Sequence, residues 1–573
     1  MRRQLAALAF ALVAACGGGG GGSGSGGSGG SGSGGPPPPP PTSFEASRFL
    51  TQATFGPTDT SIQQVISAGS FNAWITAQIA LPLSTTTHDA YVNSVIATTG
   101  SADSNTFYQT WWRQSLTADD QLRQRVAFAL SQIFVISLND PTIDVRGAAS
   151  YYDMLTRDAL GNFRTLLNDV SLHPMMGRYL TFLANQKEDA AGTRTPDENY
   201  AREVMQLMTI GLVELNADGT TKLVSGQPVA TYTSADIAGL AKVFTGFSWY
   251  HPAPTNNTFF GGSADPERSV TPMVAYPNYH STSAKVFLGT TIPASATVDA
   301  MGDLRIALDR LYNHANTGPF ISLRLIQQLV TSNPSPAYVG RVSAVFDNNG
   351  SGVRGDLAAV VRAVLTDSEA RGTSAAAGST SFGKLREPVL RLANWARAFG
   401  ATSQTGAYLI TSTSANTSLN QSPLTSPSVF NFWRPGFVPP ATTQLGSNTL
   451  FAPEFQVVDE VTTASYINVI QDWINQGIGS TPPGGSGRDV RSAYTAELAL
   501  VDTPAALAER MNLLMFYGQM TPATRTKIEA AISAVAIPVS NGSNQAAIDT
   551  ARLNRAKTAV FFSMISPDYL AQR

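Results

Sequence analysis

Cysteine is all but missing: the 573-residue chain has one, Cys16. A body without thiols forms no disulfide, offers no thiolate to a metal and holds no cysteine nucleophile. Charge is scarce too. Asp, Glu, Lys and Arg make up 14% of the residues, against about 25% in an average soluble protein. With a net charge of -2 there is no basic footprint, so nucleic acid is not expected as a partner. Histidine is limited to His88, His173, His251, His280 and His314. None stands three or four residues from another and HExxH is absent, so neither a metal nor any other cofactor is implied. After the first sixteen residues no apolar run approaches the roughly 18 residues of a transmembrane helix.

What is present begins with MRRQLAALAFALVAAC. Arg2 and Arg3 supply a charged start, 5–15 an apolar stretch, and Val13, Ala14, Ala15 and Cys16 a small-residue cleavage site, so 1–15 reads as a secretory signal. Cysteine at that place resembles the lipobox of bacterial lipoproteins, whose thiol is acylated and becomes the first mature residue. The alternative is an ordinary signal peptide with an incidental cysteine. Each buried methylene of a lipid chain contributes about 0.8 kcal/mol, so several chains would anchor the protein to a membrane through Cys16. Gly17 follows where an aspartate would signal inner-membrane retention, and an outer-membrane lipoprotein is expected. Residues 16–42 are a leash, flexible over glycine-rich 17–35 and extended over the prolines of 36–41.

The body, 43–573, reads as mainly α: a large multi-helix unit with one minor β-hairpin. Leu122, Val126, Leu130, Ile133 and Phe134 recur at helical spacing. Pro388 opens a helix carrying Val389, Leu392, Ala396 and Phe399 on one stripe, and Gly400 stops it. Ala559, Phe562 and Met564 belong to an apolar helix ending before Pro567. The hairpin pairs 213–215 with 220–223 around Asn216-Ala217-Asp218-Gly219. Stretches 372–381 and 480–487 read as exposed loops.

The sharpest local pattern is TPDENYAREVMQLMTIG, 195–211. Thr195 suits the N-cap, Pro196 the first turn and Glu198 the third position of a capping box, and Gly211 ends the helix. Glu198 and Arg202, and likewise Asn199 and Glu203, are four apart and can pair along one face. Asn199 and Arg202 would then line a cleft for an anionic or polyhydroxyl ligand. Thr233 and Asp236 repeat the cap as a structural feature. His173 can close the helix before it, and His280 lies in a loop five residues before Lys285. A hydrolase would use Glu203 or His173 as general base and Arg202 or Lys285 to hold the developing anion, with Asp197 beside them. Trp249, Tyr250 and Trp433 are stacking faces for a carbohydrate, or core residues.

Three motif matches fail on their own terms. GSTSFGK, 378–384, copies a phosphate loop, but Leu385 replaces the Ser or Thr that would meet magnesium. The run 26–30 fits a nucleophile elbow only because the leash is made of glycine and serine. Asp347, Asn349, Ser351 and Gly352 open like a calcium loop whose twelfth position is Ala358 rather than Glu.

The run DENYAREVMQLMTIGLVELNADG followed by TYTSADIAGLAKVFTGFSW resembles the hallmark of the bacterial domain-of-unknown-function-1800 family. ASRFLTQATFGPT, GNFRTLLNDVSLHPMM, HSTSAKVFLG, GVRGDLAAVVRAVLTDSEAR and SPSVFNFWRPGFVPP extend the likeness in order over the whole body. The resemblance implies a helical, exported protein with no established catalytic residues. Its genes often neighbour those of the exported, sulfatase-like domain-of-unknown-function-1501 family. Met205, Gln206 and Met208 stand where many relatives carry Leu, Glu and His or Phe, which argues against metal chemistry in that helix. The expectation is an envelope protein that binds or scaffolds an exported partner; the alternative is an extracytoplasmic hydrolase of an ester or glycan.

Overall fold

Helices carry the body, and among the described residues strands occur only as five two-stranded antiparallel pairs. The computed structural model describes residues 39–372 and 380–573. The signal stretch, Cys16 and the leash through residue 38 lie outside the described residues, as do 373–379 of the predicted loop.

The helix starts are chemical. Thr42, Thr58, Thr233, Thr255 and Asp459 each close a capping box, satisfying amides that the first turn leaves without partners. The Thr233 cap is thus as expected, although its helix stops at Ala241. Pro388–Ala398 and Gln545–Met564 also appear where periodicity puts them. The hairpin turn forms, with Asn216 and Thr220 bonded across it and Leu215 bridged to Thr221. The formal strands Leu223–Val224 and Gln227–Pro228 make a second turn directly after it.

Gln121–Ser131 is the centre of the molecule. Its apolar stripe packs as predicted, but every residue of the helix is buried. The polar side is therefore met in part by protein instead of water: Gln121 donates to the Ser115 and Ala118 carbonyls, and Arg125 Nη2 to that of Gln328 at 2.7 Å. Arg125 Nε and Nη1 are buried without a hydrogen-bond partner among the described residues. Around it Trp111 and Trp112 meet edge to face at 4.9 Å, with Phe55 and Phe128 against Trp111. The first helix of the described body and the C-terminus meet beside this core. Arg48 Nε donates to the Arg573 carbonyl, and Ala571–Gln572 pairs with Lys384–Leu385.

Helix Ser234–Ala241 lies directly on strand Lys285–Phe287 through Gly239, where an added Cβ would stand 1.8 Å from the Val286 carbonyl oxygen. Gly239→Ala should push helix and strand apart and cost about 1–3 kcal/mol or more. A thermal melt that leaves the midpoint unmoved would contradict that packing.

Candidate functional site

The helix expected to be capped by Thr195 begins three residues later than that cap implies and spans Asn199–Gln206. Thr195 and Pro196 stay outside it, and Glu198, at the N-cap position, makes no capping bond. Asp197 is held by tertiary partners instead. Its amide and carbonyl bond Asn185, its Oδ2 accepts from Thr181 Oγ1, and its Oδ1 accepts from the Asn199 amide. Asn199 reaches Thr181 at 3.3 Å, so the predicted Asn199–Glu203 couple does not form. Arg202 does pair with Glu198, at 3.3 Å on the open surface. Glu203 points inward. It is 7% exposed, its Oε2 has no hydrogen-bond partner among the described residues, and burial raises its carboxyl above the usual range.

His280 and Lys285 converge, but on each other's partner. His280 sits between the Thr245 carbonyl (Nδ1, 2.7 Å) and Asp303 (Nε2, 3.0 Å). Lys285 Nζ binds the same Asp303 oxygen at 2.9 Å and the Ser281 carbonyl at 2.7 Å. Both side chains are buried and their polar atoms engaged, which makes this a structural clamp.

His173 closes one helix and opens the next, its Nδ1 accepting the Met175 amide at 3.2 Å. That bond fixes the tautomer: the lone pair is on Nδ1 and the hydrogen on Nε2. Burial pushes the ring down to about 3. The ring is therefore neutral, with Nε2 buried and without a hydrogen-bond partner among the described residues, and its lone pair is not free for the general-base role expected from sequence. It borders a cleft of about 420 Å³ with Asp153, Asp169 and Gln124. There Asp153 holds the backbone N–H groups of His88 and Asp89, at 2.8 Å each, and Asp169 pairs with Arg157. The predicted convergence of Asp197 or Glu203 with Arg202, His173 and His280 does not form: among the described residues no hydrogen bond or ion pair joins either histidine to Asp197, Arg202 or Glu203.

A different constellation lies beside the central helix. Lys384 Nζ binds Glu454 at 3.0 Å, approaches Glu387 at 3.7 Å and donates to the Gln327 and Gln328 carbonyls. Glu387 accepts from Gln132 (2.8 Å) and Gln421 (3.0 Å), and Gln132 accepts from Asn431. Lys384 is thus the lysine of the failed phosphate loop, put to structural use. Glu454 is 2% exposed, and burial raises its carboxyl. It borders a cavity of about 80 Å³, together with Gln206, Arg324 and Trp433. Of the other proposed stacking faces, Trp249 is buried between Arg178 and Arg268.

On the far side of Leu385 lies an apolar groove of about 410 Å³, bordered by Leu419, Phe455, Val458, Ile467 and Leu570. Phe455, Val458 and Ile467, with Val461 next to them in sequence, are 38–50% exposed. The calcium-like loop closes on itself through Asn349 to Asp356 and Arg354 to Asp347. Among the described residues no three His, Cys, Asp or Glu side chains are grouped to hold a metal ion, and no helix is long and apolar enough to cross a membrane.

The family model "Protein of unknown function (DUF1800)" matches residues 48–571. The chain belongs to that family. No curated protein and no solved structure matches it. The matched DUF1800 segment contains the Glu203 helix, the Asp303 clamp, the Lys384 cluster and the apolar groove alike. Neither Glu387 nor Glu454 of the DUF1800 body stands out in the sequence as a site residue. Glu387 leaves one trace, a charged residue immediately before the helix-opening Pro388, whereas Glu454 reaches Lys384 across 70 residues of chain.

Proposed function

We propose that this DUF1800 protein is a lipid-anchored component of the bacterial cell envelope, held at the outer membrane by acylated Cys16, that binds or scaffolds an exported protein. The observation that carries the binding half is the groove at Phe455, Val458 and Ile467. Large apolar side chains stand in contact with solvent around a concave, mostly apolar lining in which Arg391 and Arg573 are the charged residues. Such patches mark interaction surfaces on proteins that otherwise keep apolar groups inside. Apart from Glu203, the groups a hydrolase would draw on are engaged elsewhere: the His173 lone pair on Met175, His280 and Lys285 on Asp303, Arg202 on Glu198. An exported sulfatase-like protein is the partner to look for.

The anchor is tested by fractionation. Cys16→Ser should leave the protein unacylated and release it from the outer membrane, while an unchanged distribution would refute lipid anchoring. A second reading, hydrolysis of an ester or glycan outside the cytoplasm, draws on Glu203, whose Oε2 is buried without a partner among the described residues. Turnover that disappears in Glu203→Gln would favour it.

A further inference from the structure

The cavity beside Glu454 is built unlike the groove. It opens between the last turn of helix Asn199–Gln206, helix Thr317–Leu329 and segment 429–435. Its walls combine five side-chain amides, Gln206, Gln328 and Asn431 among them, with the rings of Phe320, Phe430 and Trp433. Asn431 takes a left-handed backbone (φ 67°) as it donates to Gln132, a conformation asparagine tolerates better than most residues.

Its polar atoms are left half-satisfied in a specific way. Glu454 Oε2 and Gln328 Oε1 are buried acceptors with no hydrogen-bond partner among the described residues. Arg324, half-buried on the same wall, offers donors. It gives one N–H to Gln327 Oε1 at 2.8 Å and lies 4.9 Å from the centre of the Phe320 ring, with no carboxylate partner among the described residues. Buried acceptors without donors are costly and point to a group that completes them. The group must donate to Glu454 and Gln328 and accept from Arg324. It need not bring charge, because the wall already holds one cation and one carboxyl. Hydroxyls do both jobs, and the C–H face of a sugar ring suits an aromatic wall.

We propose that this cavity binds one residue of a neutral saccharide, its hydroxyls held by Glu454, Gln328 and Arg324 and its ring face set against Phe430 and Trp433. At about 80 Å³ the cavity takes the edge of a sugar, leaving the rest of the ring against half-buried Phe430, while Trp433, 4% exposed, belongs to the inner wall. The inference goes beyond partner binding, since the two sites are bordered by different residues.

The test is calorimetric titration of the full mature chain, carried as Cys16→Ser so that it remains in solution. The probes are cellobiose, the N-acetylglucosamine disaccharide and, for comparison, acetyl-trialanine amide. At least one disaccharide should bind with a Kd of about 1 mM or tighter and perturb tryptophan fluorescence. Gln328→Leu and Arg324→Met should each weaken it about tenfold. Phe430→Ala, at a half-buried wall position that the core does not depend on, should do the same with the melting temperature unchanged. The proposal is overturned if neither disaccharide binds up to about 50 mM, if binding persists unchanged in all three variants, or if only the peptide binds. Each of those results leaves capture of a protein at the groove untouched.

Discussion

Replacing His88 by phenylalanine should stabilise the protein, by an amount that grows as the solution is acidified. His88 is 1% exposed, and neither ring nitrogen has a hydrogen-bond partner among the described residues. Its ring instead packs against Tyr152 edge-on at 5.2 Å and against Phe107 at 5.7 Å. Burial, helped by Arg113, lowers its pKa from 6.5 to about 3. For a base with a depressed folded pKa, stability is fully present above pH 6.5. It is lost as the pH falls toward 3, because the unfolded chain takes up a proton that the folded one refuses. Each pH unit in that window costs about 1.4 kcal/mol. The advantage of His88→Phe over the natural protein should therefore be about 2–3 kcal/mol larger at pH 4.5 than at pH 7.5. Urea unfolding of the two proteins side by side measures this directly. The comparison isolates the ring, because Asp153, raised to about 7 by burial, acts in the opposite direction in both proteins. A gain that does not vary with pH would show that His88 titrates freely.

Lys384→Met should be the most damaging single change in the polar interior. It leaves Glu387 and Glu454 facing each other without the cation between them, and it strips a donor from two backbone carbonyls. Removing one member of a buried ion cluster typically costs about 3–5 kcal/mol, because the remaining charge stays desolvated. Adding Glu454→Gln to Lys384→Met should restore part of the loss, since the second change removes the charge stranded by the first. Strictly additive losses in urea unfolding at pH 7 would mean that the three groups do not act as one cluster.

The elements easiest to read in the sequence are those whose cause is local. Thr233 and Asp236 cap their helix because the two partners are three residues apart. Pro388 and Gly400 bracket a helix for equally short-range reasons. The start at Thr195 failed although the local pattern was complete, because Asn185 and Thr181 compete for Asp197 from a distance. The buried polar face of Gln121–Ser131 was illegible for a related reason: amphipathic spacing predicts water on that side, and here Gln328 and neighbouring carbonyls take its place. Lys285 and His280 were found, but their common partner Asp303 was not. Glu387 and Glu454 carry no spacing rule that joins them. The groove was hidden too, because Val458 and Ile467 look like any other apolar residues until burial is known.

Partner binding is the central claim, and affinity capture of the mature protein from envelope, run beside Val458→Asp and Ile467→Asp, tests it most directly. Both changes lie on exposed apolar positions, where substitutions usually alter stability by only about 0.5 kcal/mol. One exported protein should copurify at near-equal stoichiometry with the natural chain and with Glu203→Gln, and be lost from both groove variants. Capture that ignores the new charges, or no partner together with an ester or glycan turnover abolished by Glu203→Gln, would contradict it.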